Sequence, residues 1–410
     1  MGLLMMIAMN LYSRLSLGQV MHKLVQGLRY IWPGASFTPA SKGAVSQVRY
    51  ALGARPVVDL FHRVCQPMTH PDTPGAFLFG LRLMALDGTD EMIPDTPQNV
   101  RVFGRHTSGR GEAGYPQLKA VYLEEVGAHA VIDAGFWPIH TNERQGGFRL
   151  LRSVKEGMLL MWDAGFHSFE MVKKTLARQA HFLSRLPASV KPTLVRRLPD
   201  HSSWVYLTRK DHQGRIQERI LVRLIEYTVT DPALPGYGER HRLITSLLDW
   251  QRYPALLMAQ SYHERWEIEI TIDETDTHQR LAFHPLRSQK PVGVIQELYG
   301  LLMAHYAVRK IMLEAAQQAG LDPDRLSFIN ALHLIGNAIP EFQLTAPCHR
   351  PALFQRLLSD IARFHLPPRQ PRSNPRVIKR KMSNFDRKRP EHYHVPQPMS
   401  SFTDAISILI

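Results

Sequence analysis

The stretch that most constrains this 410-residue chain runs from Ser261 to Gln279, SYHERWEIEITIDETDTHQ. Its spacing predicts a helix on which Tyr262, Arg265 and Glu269, at i, i+3 and i+7, share one face. Trp266, Ile268, Ile270 and Ile272 supply apolar surface for packing. A phenol, a guanidinium and a carboxylate side by side suit a site that handles phosphate next to a metal ion. Arginine offers a fixed fork to phosphate oxygens, and a carboxylate holds a hard cation. Taken alone, Arg265 and Glu269 are more often an exposed salt bridge one helical turn long. Two aspartates far upstream shift that balance.

The first follows Phe77–Leu86, a nearly unbroken apolar run of strand length that ends at Asp87-Gly88-Thr89. A buried strand that delivers an acid at its C-terminal end is a common way to build a site on an α/β sheet. Residues 118–124 and 127–133 read as a hairpin beside it, and 147–154 as a helix. A second apolar strand, Met158–Trp162, delivers Asp163-Ala164-Gly165-Phe166. A helix over 168–179 and a strand over 181–186 follow. Three strands, helix, strand, helix, strand is the order of a ribonuclease H-like sheet.

Either side of that core the chain changes character. Residues 1–70 read as helical. Val45, Val48 and Leu52 form a stripe that stops at Gly53, and a new helix starts at Pro56. This pair is either a packing hairpin or a DNA-reading helix-turn-helix. The apolar start, Met1 to Met9, is too short to span a bilayer and has no basic flank. Residues 101–115 read as a basic loop. A β-rich insertion over 188–250 carries Trp204, Arg209, Lys210, Arg215, Arg219 and Arg223, a mixture suited to stacking bases and touching phosphates. Its core halves are 75–187 and 251–315, followed by a helical region over 316–365 and a basic, proline-rich tail over 366–410. From Arg363 to Arg389 ten Lys and Arg, among them Arg376, Lys379, Arg380 and Lys381, face only Asp386.

Charge supports a polyanionic partner. Fifty Lys+Arg against 36 Asp+Glu leave +14, which favours nucleic acid over a membrane surface. Two cysteines, Cys65 and Cys348, exclude a disulfide framework and a cysteine-rich zinc site, and fit a reducing cytoplasm.

Asp87, Asp163 and Glu269 would repel one another unless divalent metal neutralised them. Two Mg²⁺ or Mn²⁺ ions about 3.5–4 Å apart, held by such carboxylates, activate a water or a 3′-hydroxyl for in-line attack at phosphorus. Asp133, in a Val131-Ile132-Asp133-Ala134-Gly135-Phe136 context much like that of Asp163, is the competing candidate. Its place in the hairpin strand argues for Asp163.

Taken together, these residues resemble the DDE transposases of bacterial insertion sequences, in the insertion-sequence-four group. The group signature is Tyr-x2-Arg-x3-Glu-x6-Lys, and here it reads Tyr262, Arg265, Glu269, with Asp276 where the lysine stands. Leu86-Asp-Gly-Thr89, Trp162-Asp-Ala-Gly-Phe166, Leu243–Asp249, Leu286-Arg-Ser288, Gln296–Tyr299, Leu326-Ser-Phe328 and Asn374–Lys381 carry the likeness further, as do the helices from Thr38 to Phe61. The resemblance implies that Asp87, Asp163 and Glu269 bind two metal ions, and that Tyr262 and Arg265 hold a phosphate at the transposon end. It implies cutting and joining of DNA at inverted-repeat ends, by a homodimer on DNA at the bacterial nucleoid. Asp276 would repel the phosphate that a lysine holds, with His278 a candidate substitute. Two alternatives stand beside this: a ribonuclease H-like nuclease that cuts without joining, and a transposase-derived protein that only binds DNA.

Overall fold

The computed structural model describes residues 2–31, 40–108, 111–234, 236–280, 284–367 and 398–409, with the side chains of 27–31 and 108 outside the description. Arg110 and the tail residues Arg376, Lys379, Arg380 and Lys381 lie outside the described residues, as does the Thr38 end of the N-terminal likeness. The chain forms two compact units. One comprises Met1–Met161, Arg178–Ala180 and Arg265–Leu366, the other Trp162–Ala177, His181–Glu264 and Pro367–Ile410.

The fold is mixed α/β. In the first unit, strands β1 (Leu81–Met92), β2 (Gln117–Glu125), β3 (Ala130–Pro138) and β4 (Met158–Trp162) lie in the order β3-β2-β1-β4. The first three are antiparallel, with Asp87 opposite Tyr122 and Leu123 opposite Asp133. The element order is the expected one except that a helix, Pro97–Phe103, stands between β1 and β2 and takes up the start of the segment expected to be a basic loop.

One expectation fails in an informative way. β1 does not stop at Asp87. It continues to Met92 because residues 87–92 keep pairing with β2, down to Met92 opposite Gln117. Asp87 is therefore a mid-strand acid, and so is Asp133 in β3. Only Asp163 immediately follows a strand end. The helix expected over 147–154 begins earlier, at Glu143, because the side chain of Asn142 caps it by accepting from the Arg144 N–H.

The 29-residue helix Pro291–Ala319 is the spine of the first unit. Buried Val308, Met312 and Ala316 pack with the helices Phe328–Leu344 and Arg350–Arg363. Near its start it meets the N-terminal helices Gly2–Leu11, Leu17–Ile31, Lys42–Leu52 and Arg55–Val64. A Cβ at Gly300 would stand 2.4 Å from the Met6 carbonyl oxygen, so only glycine permits this approach. Asn10 donates to the Glu297 carbonyl at 3.1 Å, and Gln296 donates to the carbonyls of Arg49 and Gly53. Farther along, Tyr299 donates to the Ala134 carbonyl of β3 at 2.9 Å. The apolar start of the chain is thus a core helix, with Met5, Met6 and Met9 fully buried.

The second unit is a sheet of strands β5 (His181–Arg185), β6 (Thr193–Arg197), β7 (Ser203–Lys210), β8 (Ile216–Val229) and β9 (His241–Thr245), in the order β5-β9-β8-β7-β6 and antiparallel throughout. The end of the tail is ordered. β10 (Ile406–Ile408) pairs with Tyr227–Val229 of β8, and Ala405 and Phe402 pack on Val229 and Leu234. Among the described residues no helix is long and apolar enough to cross a membrane.

Asp133 shows how the first unit handles a buried charge. Its carboxylate is fully buried, and it accepts from Arg152 at 2.8 and 2.9 Å, from Ser153 at 2.5 Å and from the Ala134 N–H at 2.8 Å, with the His62 ring nitrogen at 2.9 Å. Burial alone would raise its pKa, but the bonds from Arg152, Ser153 and His62 outweigh it and hold the group below the usual aspartate range. A depressed folded value adds stability above the unfolded pKa that is lost as pH falls through the folded one. Asp133→Asn should therefore cost about 2–4 kcal/mol near neutrality, and the two stability curves should converge as pH drops below about 4. Urea unfolding across pH checks this. A deficit that stays constant with pH would contradict it.

Candidate functional site

The signature stretch changes its winding three times. An α-helix, Ala255–Ser261, tightens into a 3-10 turn over Tyr262–Trp266, returns to α over Glu267–Asp273 and widens into a π turn over Glu274–Gln279. Such local departures cluster at functional positions. The expected single regular helix is thus a composite. Arg265 and Glu269 keep their i,i+4 relation.

In the first unit Arg265 sits between two of the three acids. Its Nη1 donates to Asp87 Oδ2 at 3.0 Å and its Nη2 to Glu269 Oε1 at 2.9 Å. The guanidinium is buried, Asp87 is mostly so, and Glu269 keeps half of its side chain in solvent. Asp87 also accepts from the Gly88 N–H at 2.8 Å. Two carboxylates drawn to one cation form an oxygen donor set of the kind Mg²⁺ and Mn²⁺ take. The arginine expected to hold a phosphate acts here as their counter-charge.

In the second unit Asp163 closes an Asx turn at the end of β4, its Oδ1 accepting from the N–H groups of Gly165 at 2.8 Å and Phe166 at 3.2 Å. Tyr262 donates to the carbonyl of Trp162 at 3.0 Å, the residue just before Asp163. Trp162 itself stacks on Phe182. Tyr262 therefore fixes the strand end that carries the acid.

Position 276 departs from the signature, and its surroundings say why. Asp276 faces Arg280 at 3.4 Å, and Arg280 also pairs with buried Glu91 of β1. The Tyr122 hydroxyl lies 3.4 Å from Glu91. Burial and the Glu91 charge push Asp276 up to about 8, against the pull of Arg280. The side chain is folded inward against the Glu91–Arg280 ion pair and stays mostly protonated near neutrality. His278 is engaged with Asp273 at 3.3 Å.

A second charged cluster in the first unit has metal-like composition. His129 Nε2 lies 3.1 Å from Glu267 and 2.9 Å from Asp324. Arg309, however, stands 2.6 Å from His129 Nδ1, and an arginine can only donate. The imidazole proton is then on Nε2, which has no lone pair for a metal and instead donates toward the two carboxylates. The same Arg309 pairs with Glu274, beside His305 at 2.9 Å. Burial opposes the Glu274 charge, but Arg309 and His305 bring its carboxyl down to about 2. This cluster is structural.

Several basic residues of the β-rich segment are already partnered. Arg209 bonds Glu170 at 2.6 Å and Glu218 at 3.1 Å, and Arg215 lies 3.8 Å from Asp211. Arg223 was grouped with the surface cations by sequence. It is fully buried and pairs with Asp200 and Ser202, because the alternation of β8 turns it under the sheet. Trp204 donates to the Leu248 carbonyl at 3.1 Å. Lys210 is exposed, and so is edge strand β6 with Arg196 and Arg197. That Arg-Arg pair lies in a short run bracketed by Pro192 and Pro199, which carries no long alternating pattern to mark it as a strand.

Comparison with known proteins agrees with this assignment of elements. The family model for a transposase DDE domain matches residues 79–307, and that for an insertion element 4 transposase N-terminal region matches residues 1–62. The chain is 31% identical over 368 residues to transposase InsG for insertion sequence element IS4 of Escherichia coli (strain K12), covering 88% of this chain and 81% of that protein. It is 27% identical over 133 residues to the putative transposase InsZ of the same organism, covering 32% and 44%. Among solved structures, a piggyBac transposase synaptic complex with hairpin DNA is similar at a TM-score of 0.39 and 14% identity, over 81% of this chain and 67% of that one, too loosely to support an argument. With more than half of its length matched by the catalytic-domain model and its signature residues paired as described, the chain belongs to the DDE transposases of the insertion-sequence-four family.

Proposed function

We propose that this transposase cuts and joins DNA at the ends of an insertion sequence, with Asp87, Asp163 and Glu269 holding two divalent ions. The observation that carries this is the sharing of one buried guanidinium by Asp87 and Glu269, which come from a strand and a helix 182 residues apart. Asp163 is included on its place in the family pattern. When bound, two such ions lower the pKa of an attacking water or 3′-hydroxyl and stabilise the leaving oxygen.

The chain's own side chains do the rest. Arg265 neutralises two acids before DNA arrives, and its fork is then the donor set nearest the scissile phosphate. Tyr262 holds the Asp163 strand end through the Trp162 carbonyl. DNA meets the second unit through exposed cations, Lys210 with Arg196 and Arg197, and Arg209 joins them by exchanging Glu170 and Glu218 for phosphate. The tail cations Arg376, Lys379, Arg380 and Lys381 add a salt-sensitive arm. A homodimer on paired inverted-repeat ends, working in the bacterial cytoplasm at the nucleoid, follows from the same reading.

The defining experiment incubates the protein with DNA bearing the element's terminal repeats, target DNA and Mg²⁺. Joined products support transposition, cutting alone supports a nuclease, and binding without either supports a derived DNA-binding protein. Asp87→Asn, Asp163→Asn and Glu269→Gln should each lower cleavage by at least about 10³-fold with end binding nearly intact. Chelation should stop the reaction and Mn²⁺ restore it, while Asp133→Asn still cuts.

Arg265→Ala should lower the metal-free melting temperature, since Asp87 and Glu269 then repel without a cation between them. Mn²⁺ should raise the melting temperature of this variant by more than that of the wild type. An equal metal-induced shift in both proteins counts against the counter-charge role.

Arg196→Glu with Arg197→Glu should loosen end binding by about tenfold, steepest at low salt, with unfolding unchanged. Arg223→Ala should instead unfold the second unit, leaving Asp200 buried without its partner. Electrophoretic shift and calorimetry separate the two effects.

A further inference from the structure

The departure at position 276 belongs to a second bridge built like the first. Asp87 and Glu91 stand four residues apart on β1, hence on one face and about 13 Å from each other along the strand. Glu269 and Asp276 stand seven apart, about two turns or 10 Å along a helix. Arg265 ties Asp87 to Glu269, and Arg280 ties Glu91 to Asp276. Each bridge is a strand carboxylate, a guanidinium and a helix carboxyl group. One bridge alone would leave the helix free to pivot about it, whereas two fix both its rotation and its slide along the strand. The acids of the second are the better buried: Glu91 is 2% and Asp276 27% exposed, against 18% for Asp87 and 54% for Glu269. The second bridge is also braced by the Tyr122 hydroxyl on Glu91 and by Arg280 Nη2 donating to the His284 carbonyl at 3.3 Å.

We infer that Glu91, Arg280 and Asp276 form a hydrogen-bonded clamp that positions the Glu269-bearing helix against the Asp87-bearing strand, and that Asp276 faces this clamp and not DNA. This rests on the reading above that Asp87 and Glu269 serve one site. The three are positioning residues. A lysine at 276, the residue of the family signature, would set a second cation against Arg280 and break the bridge. In this chain, restoring the family residue should do harm.

The test compares Asp276→Lys, Arg280→Lys and the double variant Asp276→Lys/Arg280→Gln with the wild type. Three quantities are read: cleavage rate at saturating end DNA, affinity for that DNA, and amide hydrogen exchange over 267–279. Asp276→Lys should cut at least about tenfold more slowly with no gain in affinity, since sub-ångström misplacement of a catalytic group is costly. Its 267–279 amides should exchange faster. In the double variant the new lysine is the single cation facing Glu91, so both rate and protection should partly return. An Asp276→Lys protein that binds ends several-fold tighter and cuts at least as fast overturns the inference, because 276 then faces DNA. Unchanged exchange with unchanged rate, whatever the melting temperature, overturns it too. Where Asp276→Lys does not fold, Arg280→Lys decides, since it keeps the cation but loses the guanidinium's simultaneous hold on the two acids and on the His284 carbonyl. Where the wild type cuts no DNA, the transposition reading fails, and the exchange comparison still tests the clamp independently.

Discussion

The guanidinium of Arg265 is the charge on which the site depends. Asp87 and Glu269 come from distant parts of the sequence, and two carboxylates close together in a partly buried place destabilise one another. Without a cation between them the helix could not settle on the strand. Arg265 supplies that cation from within the same helix, one turn before Glu269. Its position also explains the conserved-looking spacing of the motif in purely physical terms. Four residues is the distance at which an arginine and a glutamate on a helix can share a partner lying across from both.

Holding that helix at its other end takes more buried charge than a small core would tolerate. Glu274 is pinned between Arg309 and His305, and His129 spans Glu267 and Asp324 while accepting from Arg309. Glu124, fully buried nearby, is pushed up to about 8 by burial, and so stays protonated at neutral pH. Removing one member of such a network leaves another charge buried without compensation, which costs far more than the network contributes as a whole. The cluster therefore fixes geometry more than it adds stability. Its resemblance to a metal centre fails on a single proton, the one that Arg309 forces onto Nε2 of His129.

Much of the first unit was legible in the sequence, because period and punctuation both spoke. The Gly53 stop, the proline-led helix after it and the Met158–Trp162 strand appear where expected, whereas the apolar run into Asp87 folds back at Phe79-Gly80, pairing Phe77-Leu78 with Leu81-Arg82. What the sequence hid was pairing. Residues 87–92 look like a turn, and they stay extended only because β2 runs beside them. β6 and β10 are strands made by a neighbour's edge, not by their own residues, and neither Thr193–Arg197 nor Ile406–Ile408 shows a long alternating pattern. The residues around Asp133 and Asp163 are nearly alike, and the sequence separated the two only by the place of Asp133 in a hairpin strand. Their partners tell them apart: Asp133 is enclosed by Arg152, Ser153 and His62, whereas Asp163 caps a turn at a strand end. Which cations are spoken for was equally invisible, since Arg209 and Arg223 read alike until their acidic partners are placed.

The same logic bears on whether a signature residue lost to substitution signals a decayed enzyme. A protein drifting without function accumulates changes that leave buried groups unpaired. Asp276 is not of that kind, because it bonds Arg280 four residues on, which in turn pairs with Glu91 across on β1. A lysine at 276 and an arginine at 280 would compete for one buried carboxylate, so the aspartate is the residue that suits this arginine. The three positions have to be considered together. A substitution accommodated at two other sites preserves the geometry of the helix, and with it the spacing of Glu269 from Asp87, even though an acid stands where the signature has a base.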